Sequence, residues 1–208
     1  MTYKLAIFDF DGTLANSLPW LLKVINTVAA RYRFRPVEAH ELEDLQGFGP
    51  RELLAYIGLP IWKLPLVARH VRNLMGEEIH EIHLYPGVPE MLDRLAERGV
   101  EIAIVTSNSE ENVRRVLGPR HAELIRHYAC KASLFGKRKK LRQVLRATDV
   151  PRERIISIGD EVRDIQASHA ERLAFGVATW GYSSMEAVQA YGPEEIFFRV
   201  EDIPERIT

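Results

Sequence analysis

The sequence predicts an α/β fold built on a parallel β-sheet, and three observations lead to this prediction. Short apolar runs, each the length of one strand, recur along the chain: Leu5 to Phe8, Ile102 to Val105, Ile155 to Ile158 and Leu173 to Val177. The runs lack alternating polar residues, as expected for strands that helices cover on both faces. Helical patterns lie between them. This alternation favours a parallel sheet with right-handed crossovers.

The remaining elements follow from the same patterns. Helices are predicted at Met91 to Arg98, Glu110 to Leu117 and Leu141 to Ala147. Two further strands are predicted near His127 to Cys130 and at Ile196 to Phe198. Together these elements describe one α/β unit that runs through the second half of the chain.

The interval from Leu18 to Leu84 has a different character, because its apolar residues follow helical spacing and no strand is evident. Turn-forming residues flank it, with Ser17 to Pro19 at its start and Tyr85 to Gly87 at its end. We therefore predict a Rossmann-like parallel-sheet core made of residues 1–17 and 85–208. A helical cap domain, residues 18–84, is inserted after the first strand.

Composition excludes several classes of partner. The 28 basic and 29 acidic residues of the 208-residue chain give a net charge of -1, so no global field attracts nucleic acid or an anionic membrane. The single cysteine, Cys130, cannot form an intramolecular disulfide, and no segment has the apolar length of a membrane helix. We expect a cytoplasmic protein, a monomer or homodimer, that binds neither nucleic acid nor membranes.

Two carboxylates follow the first predicted strand. Asp9 and Asp11 stand at its carboxyl end, where open α/β sheets bind ligands, and Gly12 permits a tight turn around them. Close carboxylates repel each other unless a cation or proton compensates their charge, so Mg²⁺ bound through oxygens is the natural partner. The alternative is an acidic turn with a capping role, which the following Gly-Thr-Leu makes less favourable.

Polar groups also follow two later strands. Thr106, Ser107 and Asn108 come after the second run, where a hydroxyl and backbone amides at a helix start can hold phosphate oxygens. They could instead only cap the helix. Asp160 ends the third run, and Asp164 lies one helical turn later on the same side. We expect these groups to meet Asp9 and Asp11 at one edge of the sheet.

The three groups, in this order, resemble the motifs of the haloacid dehalogenase superfamily of phosphohydrolases, in particular members that act like phosphoglycolate phosphatases. The residues that match are Asp9, Asp11 and Thr13 for the first motif, Thr106 for the second, and Asp160 and Asp164 for the fourth. The resemblance extends from Leu5 to about Gly181, and the helical insert resembles the C1 cap of the family.

The third motif of the family is a lysine between the second and fourth motifs. We assign it to Lys137, in Phe135-Gly136-Lys137, while Lys140 and Lys131 stay open because the segment departs from the common Lys-Pro pattern of the family.

The resemblance implies a mechanism. Asp9 attacks phosphorus to give an aspartyl-phosphate that water hydrolyses, and Asp11 acts as general acid and base. Mg²⁺ is held by Asp9, Asp160 and the backbone carbonyl of Asp11, and by Asp164 either directly or through water. The function predicted is hydrolysis of a small phosphorylated metabolite, such as phosphoglycolate, by a Mg²⁺-dependent phosphatase.

Further residues are expected to contact the substrate. Thr106 and Lys137 stabilise the charged phosphate oxygens, with Ser107 and Asn108 beside them, and Thr13 supports the turn. Arg51, in a cap loop from Gln46, is a candidate for pairing with a substrate carboxylate, although it could equally be a solvated helix-start residue.

Two other functions are compatible with the same residues. A phosphomutase of the superfamily uses the same aspartates but returns the phosphoryl group to a sugar intermediate. A phospho-accepting receiver module also combines acids, Mg²⁺, a hydroxyl and a lysine, although it needs no cap.

Overall fold

The computed structural model describes residues 2–208, apart from the side chains of Ala39 and Glu43. Its main feature is a six-stranded parallel sheet with the strand order β5-β4-β1-β6-β7-β8. The six strands are β1 (Leu5–Phe8), β4 (Glu101–Val105), β5 (Ile125–Ala129), β6 (Ile155–Gly159), β7 (Ala174–Ala178) and β8 (Glu195–Phe197). A two-stranded antiparallel ribbon is formed by β2 (Ala15–Asn16) and β3 (His83–Leu84). The predicted α/β class with a parallel sheet is confirmed.

The register of the central strands places their carboxyl ends side by side. Phe8, the last residue of β1, pairs with Ile104 of β4 and with Ile158 of β6. The residues that follow these three strands therefore emerge at one edge of the sheet, which is the edge where ligands bind in open α/β folds.

Helices cover both faces of this sheet, and further helices form a segment outside it. They are α1 (Leu18–Tyr32), α2 (Leu42–Leu45), α3 (Pro50–Tyr56), α4 (Leu64–Glu77), α5 (Val88–Glu97), α6 (Glu110–Leu124), α7 (Lys137–Leu145), α8 (Val162–Ala170), α9 (Met185–Gln189) and α10 (Asp202–Ile207). Ala6 and Phe8 pack into the same core as α5, whereas Leu5 and Ile7 pack with Leu141 of α7. Because both faces are buried, the strand reads as one uninterrupted apolar run.

The helices α1 to α4 form a helical segment between the two strands of the ribbon. Val28, Leu54 and Val67, from three of these helices, share a separate apolar cluster. The ribbon pairs Ala15 with Leu84 and Asn16 with His83, so the two ends of the segment lie side by side. The expectation that the interval to Leu84 contains no strand was wrong at this end, because a two-residue strand is too short to produce an alternating pattern.

Two predicted elements differ from the observed ones for an identifiable physical reason. The strand expected at His127 to Cys130 is β5, whose middle residues are partly exposed and so gave a weak pattern. The helix expected to end at Leu117 does lose its regular geometry there, because Gly118 has a positive φ of 73° and precedes Pro119. Helical structure resumes after this kink, so α6 extends to Leu124. Among residues 2–208, no helix combines the length and the apolar character that crossing a membrane requires.

Candidate active site

Three buried carboxylates cluster at the carboxyl edge of the sheet. Asp9 follows β1, Asp160 follows β6, and Asp164 lies in the first turn of α8. One oxygen from each lies within 4.8 Å of the others. The parallel register of β1 and β6 explains why residues 150 positions apart in the chain meet here.

Lys137 reaches the same cluster from the first turn of α7. Its Nζ lies 2.5 Å from Asp9 Oδ2 and 2.7 Å from Asp164 Oδ1, and its side chain is buried. The other two lysines considered for this position lie elsewhere. Lys131 is exposed, and Lys140 donates to the Gln143 side chain at 3.4 Å. The structure thus brings Lys137, and neither alternative, to the carboxylates.

Burial and mutual repulsion dominate the electrostatics of the cluster. Burial raises the pKa of Asp9 to about 7; the nearby Asp164 charge adds to the rise, and Lys137 opposes it. Burial also holds the pKa of Asp160 well above its ordinary value, with further contributions from Glu161 and Asp9. Carboxylates in such surroundings need positive charge to stay ionised. Three buried carboxylate oxygens suit a hard divalent cation, so these residues fit a metal site.

Asp160 is fixed by two donors on opposite oxygens. Thr13 Oγ1 donates to Oδ1 at 2.7 Å, and the backbone N–H of Tyr182 donates to Oδ2 at 2.8 Å. Close packing around it requires glycine at two places. A Cβ at Gly12, where φ is +83°, would lie 2.4 Å from Asp160 Oδ2, and one at Gly181 would lie 2.1 Å from the Asp160 Cβ. The hydroxyl of the buried Thr13 therefore helps to orient the Asp160 carboxylate.

The side chain of Asp11 is held by a different set of partners. Ser17 Oγ donates to Asp11 Oδ1 at 2.8 Å, and Asn108 Nδ2 lies 3.3 Å from Oδ1 and 3.2 Å from Oδ2. Burial raises the pKa of Asp11, while the bonds from Ser17 and Asn108 oppose the rise. Two adjacent acids of the first motif thus have separate surroundings, Asp9 within the carboxylate cluster and Asp11 among neutral donors.

The segment after β4 supplies a buried hydroxyl. Thr106 Oγ1 accepts a hydrogen bond from the backbone N–H of Asn108 at 3.0 Å, which leaves the hydroxyl proton for an acceptor in the site. Ser107 is half-buried, and its carbonyl accepts from Arg72 of α4 at 3.3 Å. Ser109 begins α6 by accepting a hydrogen bond from the backbone N–H of Asn112, so capping is done by Ser109 rather than by the three residues before it.

A cavity of about 560 Å³ opens beside the cluster, between α3 and the first turns of α7 and α8. Lys137 and Arg163 line it from the core, and Arg51 lines it from α3. Arg51 is exposed, and its guanidinium lies 5.8 Å from the centre of the Phe135 ring. The structure thus places Arg51 at the cavity but outside the carboxylate cluster.

Two residues of the site were not predicted from the sequence. Arg163 forms an ion pair with Glu161, and the surrounding acids raise its pKa. Tyr182 lies over the first-motif turn, with its hydroxyl 2.6 Å from Ser17 Oγ. Burial raises the pKa of this hydroxyl well above its ordinary value, so Tyr182 stays protonated. Arg163 adjoins Asp164 in sequence and could have been suspected, whereas nothing in the loop around Tyr182 marks it.

Comparison with known proteins agrees with this site. Residues 6–178 match the model of the haloacid dehalogenase-like hydrolase family. The phosphoglycolate phosphatase of Synechococcus elongatus is 26% identical over 203 residues, which cover 97% of this chain and 96% of that one. The phosphoglycolate phosphatase of Agrobacterium fabrum is 28% identical over 198 residues, covering 89% and 84%.

A crystal structure from Clostridium acetobutylicum, described as a predicted phosphatase, superposes with a TM-score of 0.83 at 20% identity over 100% of this chain and 99% of that one. The chain belongs to the haloacid dehalogenase-like hydrolase family. The predictions of this family, and of an enzyme of its phosphatase class, are confirmed.

Proposed function

We propose that this protein is a Mg²⁺-dependent phosphatase that hydrolyses 2-phosphoglycolate, or a closely similar small phosphomonoester, through a phosphorylated Asp9. The observation that carries the proposal is the division of the first-motif acids. Asp9 lies with Asp160, Asp164 and Lys137 in a charged cluster, whereas Asp11 lies apart from it among Ser17 and Asn108. This division supports a role for Asp9 at phosphorus and a role for Asp11 in proton transfer.

Mg²⁺ would be held by carboxylate oxygens of Asp9, Asp160 and Asp164, together with the backbone carbonyl of Asp11. When bound, the ion supplies positive charge that offsets repulsion between the substrate phosphate and Asp9. The fixed orientation of Asp160, between Thr13 and the Tyr182 amide, means that this ligand does not have to be reorganised for binding.

In the first half-reaction, a carboxylate oxygen of Asp9 forms a bond to phosphorus as the bond from phosphorus to the leaving oxygen breaks. Protonated Asp11 gives its proton to that leaving oxygen, so that an alcohol departs. The raised pKa of Asp11 favours the protonated form that this step needs.

In the second half-reaction, Asp11 takes a proton from a water molecule whose oxygen attacks phosphorus. The bond between phosphorus and Asp9 breaks, inorganic phosphate leaves, and Asp11 is again protonated for the next cycle. During both steps, Thr106 and Lys137 would donate to the equatorial phosphate oxygens, where preorganised donors stabilise developing charge. Ser107 lies beside them at the start of the same loop.

Two features support a small anionic substrate. The two relatives above carry the name phosphoglycolate phosphatase. The cavity beside the cluster presents the cations of Lys137, Arg163 and Arg51. A carboxylate in this cavity would face Arg51 while the phosphate faces Asp9.

We further propose that residues 18–84 act as a cap that excludes water from the site and carries Arg51 to the substrate.

The proposal is tested by phosphate release from 2-phosphoglycolate and from p-nitrophenyl phosphate with Mg²⁺. We expect turnover by the wild-type protein and none by Asp9→Asn, because the amide cannot attack phosphorus. Asp149→Asn, at an exposed position, is the matched control and should keep full activity.

Three results would contradict this function. Phosphate release by Asp9→Asn would exclude a mechanism through a phosphorylated Asp9. Formation of an isomeric sugar phosphate without free phosphate would favour a phosphomutase, and a long-lived phosphorylated protein without turnover would favour a receiver-type module.

A further inference from the structure

Tyr182 and Ser17 connect the loop after β7 to the proton-transfer residue Asp11. The Tyr182 hydroxyl lies 2.6 Å from Ser17 Oγ, and Ser17 Oγ lies 2.8 Å from Asp11 Oδ1. The backbone of the tyrosine is fixed independently, because its N–H donates to Asp160 at 2.8 Å. A three-residue chain of hydrogen bonds therefore ends on one oxygen of Asp11.

The direction of this chain follows from the donor inventory of each group. Asp11 Oδ1 is an acceptor both when the carboxyl group is ionised and when it carries a proton on Oδ2, so the single hydroxyl proton of Ser17 points to Asp11. Ser17 Oγ must then accept from the other side, and the Tyr182 hydroxyl is the donor. Hydrogen bonds aligned in this way polarise and strengthen one another.

The side chain of Ser17 takes part in this chain of hydrogen bonds instead of capping α1. It is the residue that precedes α1, a position where serine ordinarily caps the helix through its side chain. In this structure the Ser17 side chain makes no capping hydrogen bond. Its hydroxyl is committed to Asp11 and Tyr182 instead, which indicates that orienting Asp11 is the role of this hydroxyl.

We propose that Tyr182 is a positioning residue, which acts through Ser17 to fix Oδ1 of Asp11, so that proton transfer falls to Oδ2, the oxygen that lies 3.2 Å from Asn108 Nδ2. The inference rests on the proposed function, in which Asp11 protonates the leaving oxygen. The proposal assigns Tyr182 no contact with the substrate. One hydrogen bond of this kind contributes about 0.5–1.5 kcal/mol, which corresponds to a two- to tenfold change in rate.

The test compares two leaving groups. The alkoxide released from 2-phosphoglycolate needs a proton from Asp11, whereas p-nitrophenolate leaves without one. Because kcat/KM reports the first half-reaction, we expect Tyr182→Phe to lower kcat/KM for 2-phosphoglycolate about two- to tenfold and to leave that for p-nitrophenyl phosphate unchanged. An equal effect on both substrates, or no effect on either, would overturn the proposal.

Tyr85→Phe is the matched control. Tyr85 is also partly buried and donates its hydroxyl to the carbonyl of Trp180, in the same loop, at 3.3 Å. It has no contact with Ser17 among the hydrogen bonds of the described residues. We expect this variant to retain wild-type kcat/KM on both substrates, which would separate loss of the chain from general loosening of the loop.

A double-mutant cycle tests whether the effect passes through Ser17. Ser17→Ala should lower kcat/KM for 2-phosphoglycolate, Ser17→Thr should restore it, and Tyr182→Phe should add nothing in the Ser17→Ala background. Additive losses would show that Tyr182 acts independently of Ser17, contrary to the proposal.

A measurement without turnover keeps the chain testable if the proposed function itself fails. The buried Tyr182 hydroxyl proton should give an exchange-protected NMR signal that is lost in Tyr182→Phe and shifted in Ser17→Ala. A wild-type protein that shows this signal but hydrolyses neither substrate would contradict the phosphatase function alone. The absence of the signal would contradict the chain.

Discussion

At the scale of single residues, Lys137 is the side chain on which the charge balance of the site depends. It is buried against two carboxylates, Asp9 and Asp164, and a third, Asp160, lies within the same cluster. The neighbouring acids raise its pKa despite a burial that would lower it, so the amine stays protonated. One ammonium group cannot offset three buried carboxylates, and this leaves a role for Arg163 and for a divalent cation.

Replacing Lys137 by methionine should therefore destabilise the protein as well as inactivate it. Leaving buried carboxylates without a partner costs about 3 kcal/mol or more of unfolding free energy. We expect Mg²⁺ to recover part of this loss, because a cation on the same carboxylates supplies the missing charge. Urea unfolding with and without Mg²⁺ measures both effects.

Lys140→Met is the control for this experiment, since Lys140 lies on the same helix and its side chain donates a hydrogen bond to Gln143 rather than to the carboxylate cluster. It should leave stability and activity nearly unchanged. A Lys137→Met protein whose stability does not respond to Mg²⁺ would show that Lys137 and the cation do not act on the same group of carboxylates.

The sequence allowed some of the site residues to be predicted and not others. Asp9, Asp160 and Asp164 could be placed together because each follows a recognisable buried strand, and parallel strands share one edge. Tyr182 could not, since it lies in an irregular loop after β7 that has no periodic pattern. The sequence marked Ser17 only as a turn residue, because its contact with Asp11 depends on how the turn folds back.

At the scale of secondary-structure elements, the short connection between α1 and α3 is organised by Glu41. Its carboxylate accepts hydrogen bonds from the Tyr56 hydroxyl, from Arg35, and from the backbone N–H of Glu38 at 2.8 Å. These bonds lower the pKa of Glu41 to about 2, with Tyr56 as the largest contribution. Glu41 thus ties the connection that follows α1 to the end of α3.

This lowered pKa makes the helical segment sensitive to acid. A carboxyl group whose pKa is lower in the folded than in the unfolded state stabilises the protein above its unfolded pKa and loses this effect as the folded form is protonated. The contribution of Glu41 should therefore be complete above about pH 4.5 and disappear toward pH 2. Glu41→Gln should lower the melting temperature at pH 7. The difference in melting temperature between this variant and wild type should become smaller as the pH falls.

Differential scanning calorimetry at several pH values checks this expectation, with Glu153→Gln, at an exposed position, as the control. A difference between wild type and Glu41→Gln that stays constant from pH 7 to pH 2.5 would contradict it.

The elements themselves were predictable in proportion to their burial. Strand β1 was predicted with its observed bounds, because all four residues are buried on both faces. The edge strand β5 was displaced because Arg126 is exposed and interrupts the pattern. The ribbon strand β3 was missed, since two residues carry no periodicity.

At the scale of the whole molecule, the helical segment contacts the core on two sides of the site. The backbone N–H of Ser184 donates to the carbonyl of Gln46 at 3.1 Å, and Arg51 lies over the ring of Phe135. These contacts place the loop from Gln46 to Arg51 above the cavity. The side chain that selects the organic part of the substrate would therefore come from this loop.

Arg51→Ala should raise KM for 2-phosphoglycolate about tenfold while leaving kcat within a factor of two, because the proposed contact of Arg51 with the substrate carboxylate would be equally strong in the ground and transition states. Hydrolysis of p-nitrophenyl phosphate, which has no carboxylate, should be unaffected. Steady-state kinetics on both substrates measures the difference.

Arg31→Ala is the control, since Arg31 is also exposed on the helical segment and lies 6.0 Å from the ring centre of an aromatic residue, Tyr32, but is not among the residues that line the cavity. It should leave both substrates unaffected. An equal rise in KM for both substrates on replacing Arg51 would contradict a role in reading the carboxylate.

The antiparallel ribbon has a consequence for how this enzyme could have acquired its substrate. Because Ala15 pairs with Leu84 and Asn16 with His83, the chain leaves the sheet and re-enters it at neighbouring positions. The segment between these pairs could therefore be exchanged, lengthened or shortened while Asp9 keeps its position at the end of β1. During evolution, the helical segment could therefore change and alter the choice of substrate, while the core that carries the proposed reaction is retained.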